Sequence, residues 1–116
     1  FPMSANVVDI SIPVDYSEAA EVFKAMFLDV ARELVPVRTG YLKSTIAAEI
    51  GEASIGEVTA EASAEYAQYV EFGTYRQMAQ PYFIPAIEAA LEEWGLAAQK
   101  AYEEALEEAQ AAYEAE

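Results

Sequence analysis

The chain has 116 residues with 21 acidic and six basic side chains, which leaves a net charge of −15. This length fits one domain with a modest core, and so negative a surface disfavours nucleic-acid binding through a basic face. Because the sequence contains no cysteine and no histidine, disulfides, thiolate chemistry and the usual general base are excluded. No apolar run approaches the roughly 20 residues that a membrane-spanning helix needs.

The first elements follow from apolar periodicity. Residues 6–12 alternate apolar and polar side chains, which predicts a half-buried strand that ends at Pro13. Asp15 and Glu18 resemble a capping box and predict a helix start. The helix should continue to Pro36 with one apolar stripe, formed by Phe23, Met26, Phe27, Val30 and Leu34.

The middle of the chain predicts a hairpin followed by a short helix. A turn at Thr39 and Gly40 precedes a helical turn over 41–44, and alternating strands over 45–51 and 57–63 should pair antiparallel. Residues 66–71 fit one or two helical turns with Gly73 as the C-terminal stop. Tyr66, Tyr69 and Val70 should pack onto the sheet, and residues 74–80 should form a loop.

From Pro81 the pattern is helical almost to the end. The predicted buried stripe comprises Ile84, Ile87, Leu91, Trp94, Ala98 and Ala101, and Tyr102, Leu106, Ala109 and Tyr113 continue it. Thirty-odd residues at about 1.5 Å each make a rod of roughly 45 Å, longer than a domain of this size is wide. We therefore predict a single α+β domain over 1–116: a small antiparallel sheet packed against a first helix and a long C-terminal helix, with a body over about 5–95 and an acidic helical extension over about 96–116.

The acidic residues of the last helix allow three interpretations. Glu103, Glu104, Glu107 and Glu108 form like-charged i,i+4 pairs, which cost helix stability. They could form a weak Ca²⁺ or Mg²⁺ site, a repulsive lining beside sliding DNA, or a solvated helix face. We favour the solvated face.

Three other positions carry a functional and a structural alternative. Glu71 lies between Val70 and Phe72, where it could be a general acid or base of raised pKa; we favour a carboxylate that either forms an ion pair or caps amides and so stabilises the glycine turn. Residues 38–40 could bind a small anion, although a plain turn is favoured. Arg76, beside Tyr75, is either an interface anchor or an exposed loop arginine.

Three fragments in order, VPVRTGYLKSTI, AEYAQYVEFGT and QPYFIPAIEAAL, resemble the tail-completion or head–tail joining proteins of long-tailed bacteriophages, a family that includes lambda-type minor tail protein Z. The resemblance covers roughly residues 35–91. The positions that match its motifs are Thr39, Gly40, Leu42, Tyr66, Ala67, Glu71, Phe72, Gly73, Thr74, Pro81, Phe83, Pro85 and Ala86. The acidic C-terminal run is not part of the motifs.

The resemblance implies a structural virion protein of the neck or tail end, made in the host cytoplasm, without catalysis or cofactor. It implies a homo-oligomeric ring, expected to have six subunits, that joins tail to head and lets DNA pass. Partners would be connector, tail-terminator or tail-tube proteins, with passing contact to DNA, no sequence-specific binding and no membrane. The interface candidates are Tyr75, Arg76, Tyr102, Leu106 and Tyr113.

Two rival functions follow from composition alone. An acidic DNA mimic that inhibits a DNA-binding enzyme would explain the net charge of −15 but not the three ordered motifs. A carboxylate-based hydrolase would need a second catalytic carboxylate or a nucleophile near Glu71, and the sequence offers none.

Overall fold

A computed structural model of the chain describes residues 12–36 and 40–114. Its helices are α1 (Ser17–Leu34), α2 (Tyr41–Thr45), α3 (Ala67–Phe72) and α4 (Phe83–Glu114), and its strands are β1 (Ile46–Ile50) and β2 (Val58–Ala62). A 3-10 turn over Ala53–Ile55 lies between the strands. The predicted α+β class is confirmed, whereas the strand predicted over 6–12 lies outside the described residues except for Ile12, which is in no regular element.

The predicted capping box makes Asp15 the N-cap of α1, one residue before the observed N-cap. The observed N-cap is Tyr16, which makes no side-chain cap hydrogen bond. The Asp15 carboxylate instead accepts the backbone N–H of Ser17 at 3.0 Å and also its hydroxyl. Those two hydrogen bonds hold the pKa of Asp15 below its ordinary value, and they show that the first turn is stabilised from just outside the helix.

The core lies between α1 and α4, and alanines form much of the contact. Ala31, Ala86 and Ala90 are fully buried, and Phe27 meets Phe83 edge-on with ring centroids 5.1 Å apart. The predicted stripes were wrong in part, because Leu34, Ile84 and Leu91 are 45%, 42% and 54% exposed. Small side chains at the contact let two helices approach closely, so the buried seam follows the alanines rather than the larger residues.

The predicted antiparallel hairpin is confirmed. β1 pairs with β2 in a register that sets Ile46 opposite Ala62 and Ile50 opposite Val58. Ile46 and Ala48 are buried against the core that α1 provides. Ile46 and Ala48 therefore form the buried face of β1, and Ile50 at its end is partly buried.

Trp94 connects α4 to the turn between the two strands. Its indole Nε1 donates to the carbonyl oxygen of Gly56 at 3.0 Å, and its ring stacks on Tyr16 with centroids 6.3 Å apart. Tyr16 in turn donates its backbone N–H to Ser54 at 2.9 Å. One aromatic side chain thus links α4, the start of α1 and the turn before β2.

The 32 residues of α4 extend about 48 Å, in a molecule that measures 70 × 31 × 19 Å. Among the described residues the last fully buried position on α4 is Ala90, with Trp94 partly buried one turn later. No helix in the described ranges combines the length and apolar content needed to cross a bilayer.

Candidate interaction surface

Glu71 is the one charged side chain buried in the described part of the protein, with only 5% of its surface exposed. One carboxylate oxygen accepts the backbone N–H groups of Tyr82 and Phe83 at 2.9 and 2.7 Å. The other accepts the N–H of Ile84 at 3.1 Å. The carboxylate therefore sits on the first turn of α4.

This arrangement accounts for every unpaired donor at the start of α4. A helix leaves its first four N–H positions without internal partners, and here three of them donate to Glu71 while the fourth, Pro85, has no N–H. A negative charge at a helix N-terminus is also favourable. The favoured amide-capping role of Glu71 is found, but its target is α4, 11 to 13 residues ahead, rather than the glycine turn that follows it.

Two further hydrogen bonds join α3 to the segment before α4. The Tyr82 hydroxyl donates to the carbonyl oxygen of Ala67 at 3.3 Å, and the N–H of Gln80 donates to Val70 at 2.8 Å. Burial and then the negative charge of Glu71 raise the pKa of Tyr82 above its ordinary value of 10.0. The chain is thus held on both sides of the intervening loop.

That loop begins at a glycine that no other residue can easily replace. Gly73 ends α3 with φ +76° and ψ 176°, a backbone region that is essentially restricted to glycine. A Cβ there would lie 2.7 Å from the Ala79 nitrogen. The predicted stop is confirmed, and its cause is both backbone conformation and close packing.

The tip of the loop is braced by its own backbone. Thr74 and Gln77 exchange two backbone hydrogen bonds of 2.9 and 3.2 Å, and the Thr74 hydroxyl accepts the N–H of Arg76 at 3.2 Å. Tyr75 and Met78 are nevertheless 90% and 86% exposed. Large contiguous apolar patches on a surface mark interaction sites, and these two exposed side chains lie three positions apart on one loop.

We call Tyr75, Arg76 and Met78 the loop patch. Phe72, at the end of α3, is also 69% exposed although its neighbour Glu71 is buried. Within the patch, the Arg76 guanidinium lies 5.1 Å from the centroid of the Tyr75 ring. The patch therefore presents apolar area and one positive charge together.

Concave surfaces lie on both sides of α3. One, of about 260 Å³, is lined by Pro36, Leu42, Tyr66, Tyr69, Gln77 and Gln80. The other, of about 510 Å³, is lined by Glu61, Gln68, Phe72, Tyr82, Phe83 and Ile84 among others, and we call it the α3 groove. Tyr66 and Tyr69 were expected to pack on the sheet, but they face the first concavity and are 38% and 50% exposed.

The remaining motif residues are mostly structural in position. Gly40 has φ +75° at the start of α2, and Leu42 is buried. Pro81 is exposed, Phe83 packs on the core and Pro85 is partly buried. Thr39 and the rest of the 37–39 segment lie outside the described residues, so the anion-site alternative stays a prediction.

The interface candidates fall into two separate groups. Tyr75 and Arg76 belong to the loop patch, whereas Tyr102, half-exposed, and Leu106, half-buried, lie on α4. Tyr102 is 19 residues beyond the start of α4, about 28 Å along the helix. The prediction for Tyr113 stays untested.

Sequence reasoning missed three members of this surface. Met78 carries no local signal in its loop, and Tyr82 was passed over between the motif residues Pro81 and Phe83. Gln68 enters the groove only because β2 and α4 converge on α3.

The acidic positions of α4 are open to solvent. Glu103, Glu104, Glu107 and Glu108 are all exposed, and Gln99 donates to Glu103 at 3.1 Å. Within 12–36 and 40–114 no three acidic side chains are placed to hold a metal ion. The geometry fits the solvated helix face.

A family model described as "Bacteriophage HK97-gp10, putative tail-component" matches residues 5–73, more than half of the chain. The match contains the first sequence motif and the second as far as Gly73, with Glu71 included, and it ends before Thr74 and the third motif. No curated protein and no solved structure matches the chain.

Proposed function

The chain belongs to the HK97-gp10-like family of bacteriophage tail components, and we propose that it forms a ring in the phage neck or at the tail end. Membership confirms the predicted resemblance to tail-completion and head–tail joining proteins. Similarity to minor tail protein Z itself stays a prediction. The protein is thus a structural, virion-associated component, and the ring, its six subunits and its place in the neck are our proposal.

The family match carries this proposal, and the loop patch supports it. A subunit that joins two assemblies needs exposed apolar surface for its neighbours, and here such surface is held on a braced loop. Rigid presentation reduces the entropy that is lost on association. The neighbours would be connector, tail-terminator or tail-tube proteins and further copies of this chain.

The acidic extension fits a conduit for DNA. Nine acidic residues and one basic residue lie between positions 86 and 116, a net charge of −8, and six of those acidic residues lie in the extension over 96–116. Negative charge repels phosphate, so a lumen lined by these residues would let DNA slide without holding it. We propose no catalytic step and no cofactor for this role.

Disruption of the gene in the encoding phage tests the joining role. We expect cells to accumulate DNA-filled heads and separate tails, and a plasmid copy of the wild-type chain to restore joined, infectious particles. Joined particles in normal number without the protein would contradict the proposal.

The net charge of −15 also favours a second candidate, an acidic DNA mimic that inhibits a DNA-binding enzyme. Such a protein would capture a basic nuclease tightly, and salt would weaken that capture. Salt-sensitive inhibition by the purified chain, with no chain in the particles, would favour this candidate over the ring.

A further inference from the structure

We propose that the loop patch of one subunit docks into the α3 groove of a second copy of this chain, with Arg76 facing Glu61 of that copy. This inference rests on the proposed ring and specifies the contact that closes it. It joins a basic, aromatic projection to an apolar concavity with an acidic rim.

The loop patch carries a positive charge in an otherwise acidic part of the chain. Arg76 is the only basic residue between Lys43 and Lys100, and it makes no ion pair with any residue that the structure describes. It sits over the Tyr75 ring, and Met78 follows two residues later in the same loop. Tyrosine and arginine are the residues most often found as interface hot spots.

The receiving side offers a concavity and a charge opposite to that of Arg76. The α3 groove has a volume of about 510 Å³, within the range of roughly 300–1,000 Å³ typical of small-molecule pockets. Its walls are largely apolar, from Phe72, Phe83 and Ile84, and the exposed carboxylate of Glu61 stands on its rim. The other charged residue that lines the groove, Glu71, is already bound to three N–H donors.

The contact is head-to-tail because its two surfaces consist of different residues. The loop projects Tyr75, Arg76 and Met78, and none of these three lines the α3 groove. A contact between two different surfaces of identical chains is heterologous, the type that generates rings when the rotation closes.

Charge complementarity between Arg76 and Glu61 is the argument for a second copy. Two chains of net charge −15 repel each other over most of their surfaces, so they associate only where exposed groups of opposite charge meet, as these two side chains can. The loop patch and the groove rim provide that pairing. Complementary charges fix the register of such contacts.

Engineered cysteines in assembled particles test the contact directly, because the chain has no cysteine of its own. Met78→Cys and Gln68→Cys, both at exposed positions, are combined in one chain that complements the disrupted phage. Oxidised particles should then give a ladder of cross-linked multimers. Met78→Cys combined with Glu104→Cys, exposed on the distant part of α4, is the matched control and should give none.

The outcomes separate this contact from the wider proposal. Junction-located protein with no 68–78 cross-link, or with cross-links only between two copies of position 78, would overturn the head-to-tail contact and leave the ring standing. Absence of the chain from particles would overturn both.

Charge exchange gives an independent readout. Arg76→Glu and Glu61→Lys should each lower the yield of infectious particles about tenfold or more, and the double variant should recover most of the loss. Both side chains are exposed, so thermal unfolding of the purified variants should match the wild type. Full yield from both single variants would refute the pairing.

Discussion

At the residue scale, Glu71 accepts three backbone N–H groups at the start of α4 while its own side chain is buried. Glu71→Ala leaves those donors unpaired, and we expect the free energy of unfolding to fall by about 3 kcal/mol. Urea unfolding followed by the fluorescence of Trp94, the only tryptophan, measures the loss. Glu65→Ala, at an exposed position nearby, should change it by no more than about 0.5 kcal/mol; equal effects would contradict the capping role.

Tyr82 makes stability depend on alkaline pH. Burial and the charge of Glu71 raise the pKa of Tyr82 above 10.0 in the folded protein. As the pH rises, the unfolded chain therefore loses the Tyr82 proton at a lower pH than the folded chain does. The stabilisation that comes from keeping the Tyr82 hydroxyl protonated is fully present below pH 10.0. It is lost as the pH rises through the pKa of Tyr82 in the folded protein. Tyr82→Phe should cost about 1 kcal/mol at neutral pH through the lost hydrogen bond.

The variant should also lose less stability than the wild type between about pH 8 and about pH 11. Chemical unfolding at both pH values gives the comparison. A parallel decline of the two proteins would show that Tyr82 does not carry the effect.

Gly73 and Gly95 form a matched pair of glycines. Gly73→Ala places a Cβ 2.7 Å from the Ala79 nitrogen at positive φ, and we expect a loss of about 1–3 kcal/mol. Gly95 lies within α4 with open space around it, so Gly95→Ala should raise stability by about 1 kcal/mol. Unfolding free energies of the two variants test the contrast, which a loss in both would contradict.

At the scale of elements, α4 should divide into a part that the core needs and a part that it does not. The described contacts of α4 with the core end at Trp94. A chain that stops after Ala98 should therefore keep cooperative unfolding, with a free energy within about 1 kcal/mol of the full chain. Circular dichroism should show the loss of helix that the removed residues carried, and loss of cooperative unfolding would contradict the predicted division near residue 95.

Local patterns predicted most of these elements because their causes are local. The stripe on α1, the alternation in β1 and β2, and Gly73 at the end of α3 each depend on periodicity or turn chemistry. The face of α4 that meets α1 could not be predicted in the same way. Its seam follows Ala86 and Ala90, and only the packing of two helices distinguishes these from the other alanines of α4.

The candidate surface was less predictable than the fold. The positions of Tyr75 and Arg76 could be singled out from residue type, and the buried role of Glu71 could be framed as amide capping. Its partners, however, lie 11 to 13 residues ahead, and the α3 groove combines three separate segments. Contacts between distant segments leave no period in the sequence.

At the scale of the whole molecule, the charge of α4 should matter to DNA passage rather than to folding. Replacement of Glu103, Glu104, Glu107 and Glu108 by Gln removes four exposed like charges and should leave stability equal or slightly higher. We expect particles to assemble but to deliver DNA more slowly, because a less negative lumen repels phosphate less. Potassium efflux or genome entry after infection measures the delay. An unchanged rate of DNA delivery would contradict the conduit role of these residues.

The central claim, that the chain is a structural component of the junction between phage head and tail, is tested most directly by immunogold labelling of intact particles viewed by electron microscopy. The account predicts gold confined to the head–tail junction, on particles that carry the wild-type protein. Unlabelled particles, with the protein free in the lysate, would contradict it.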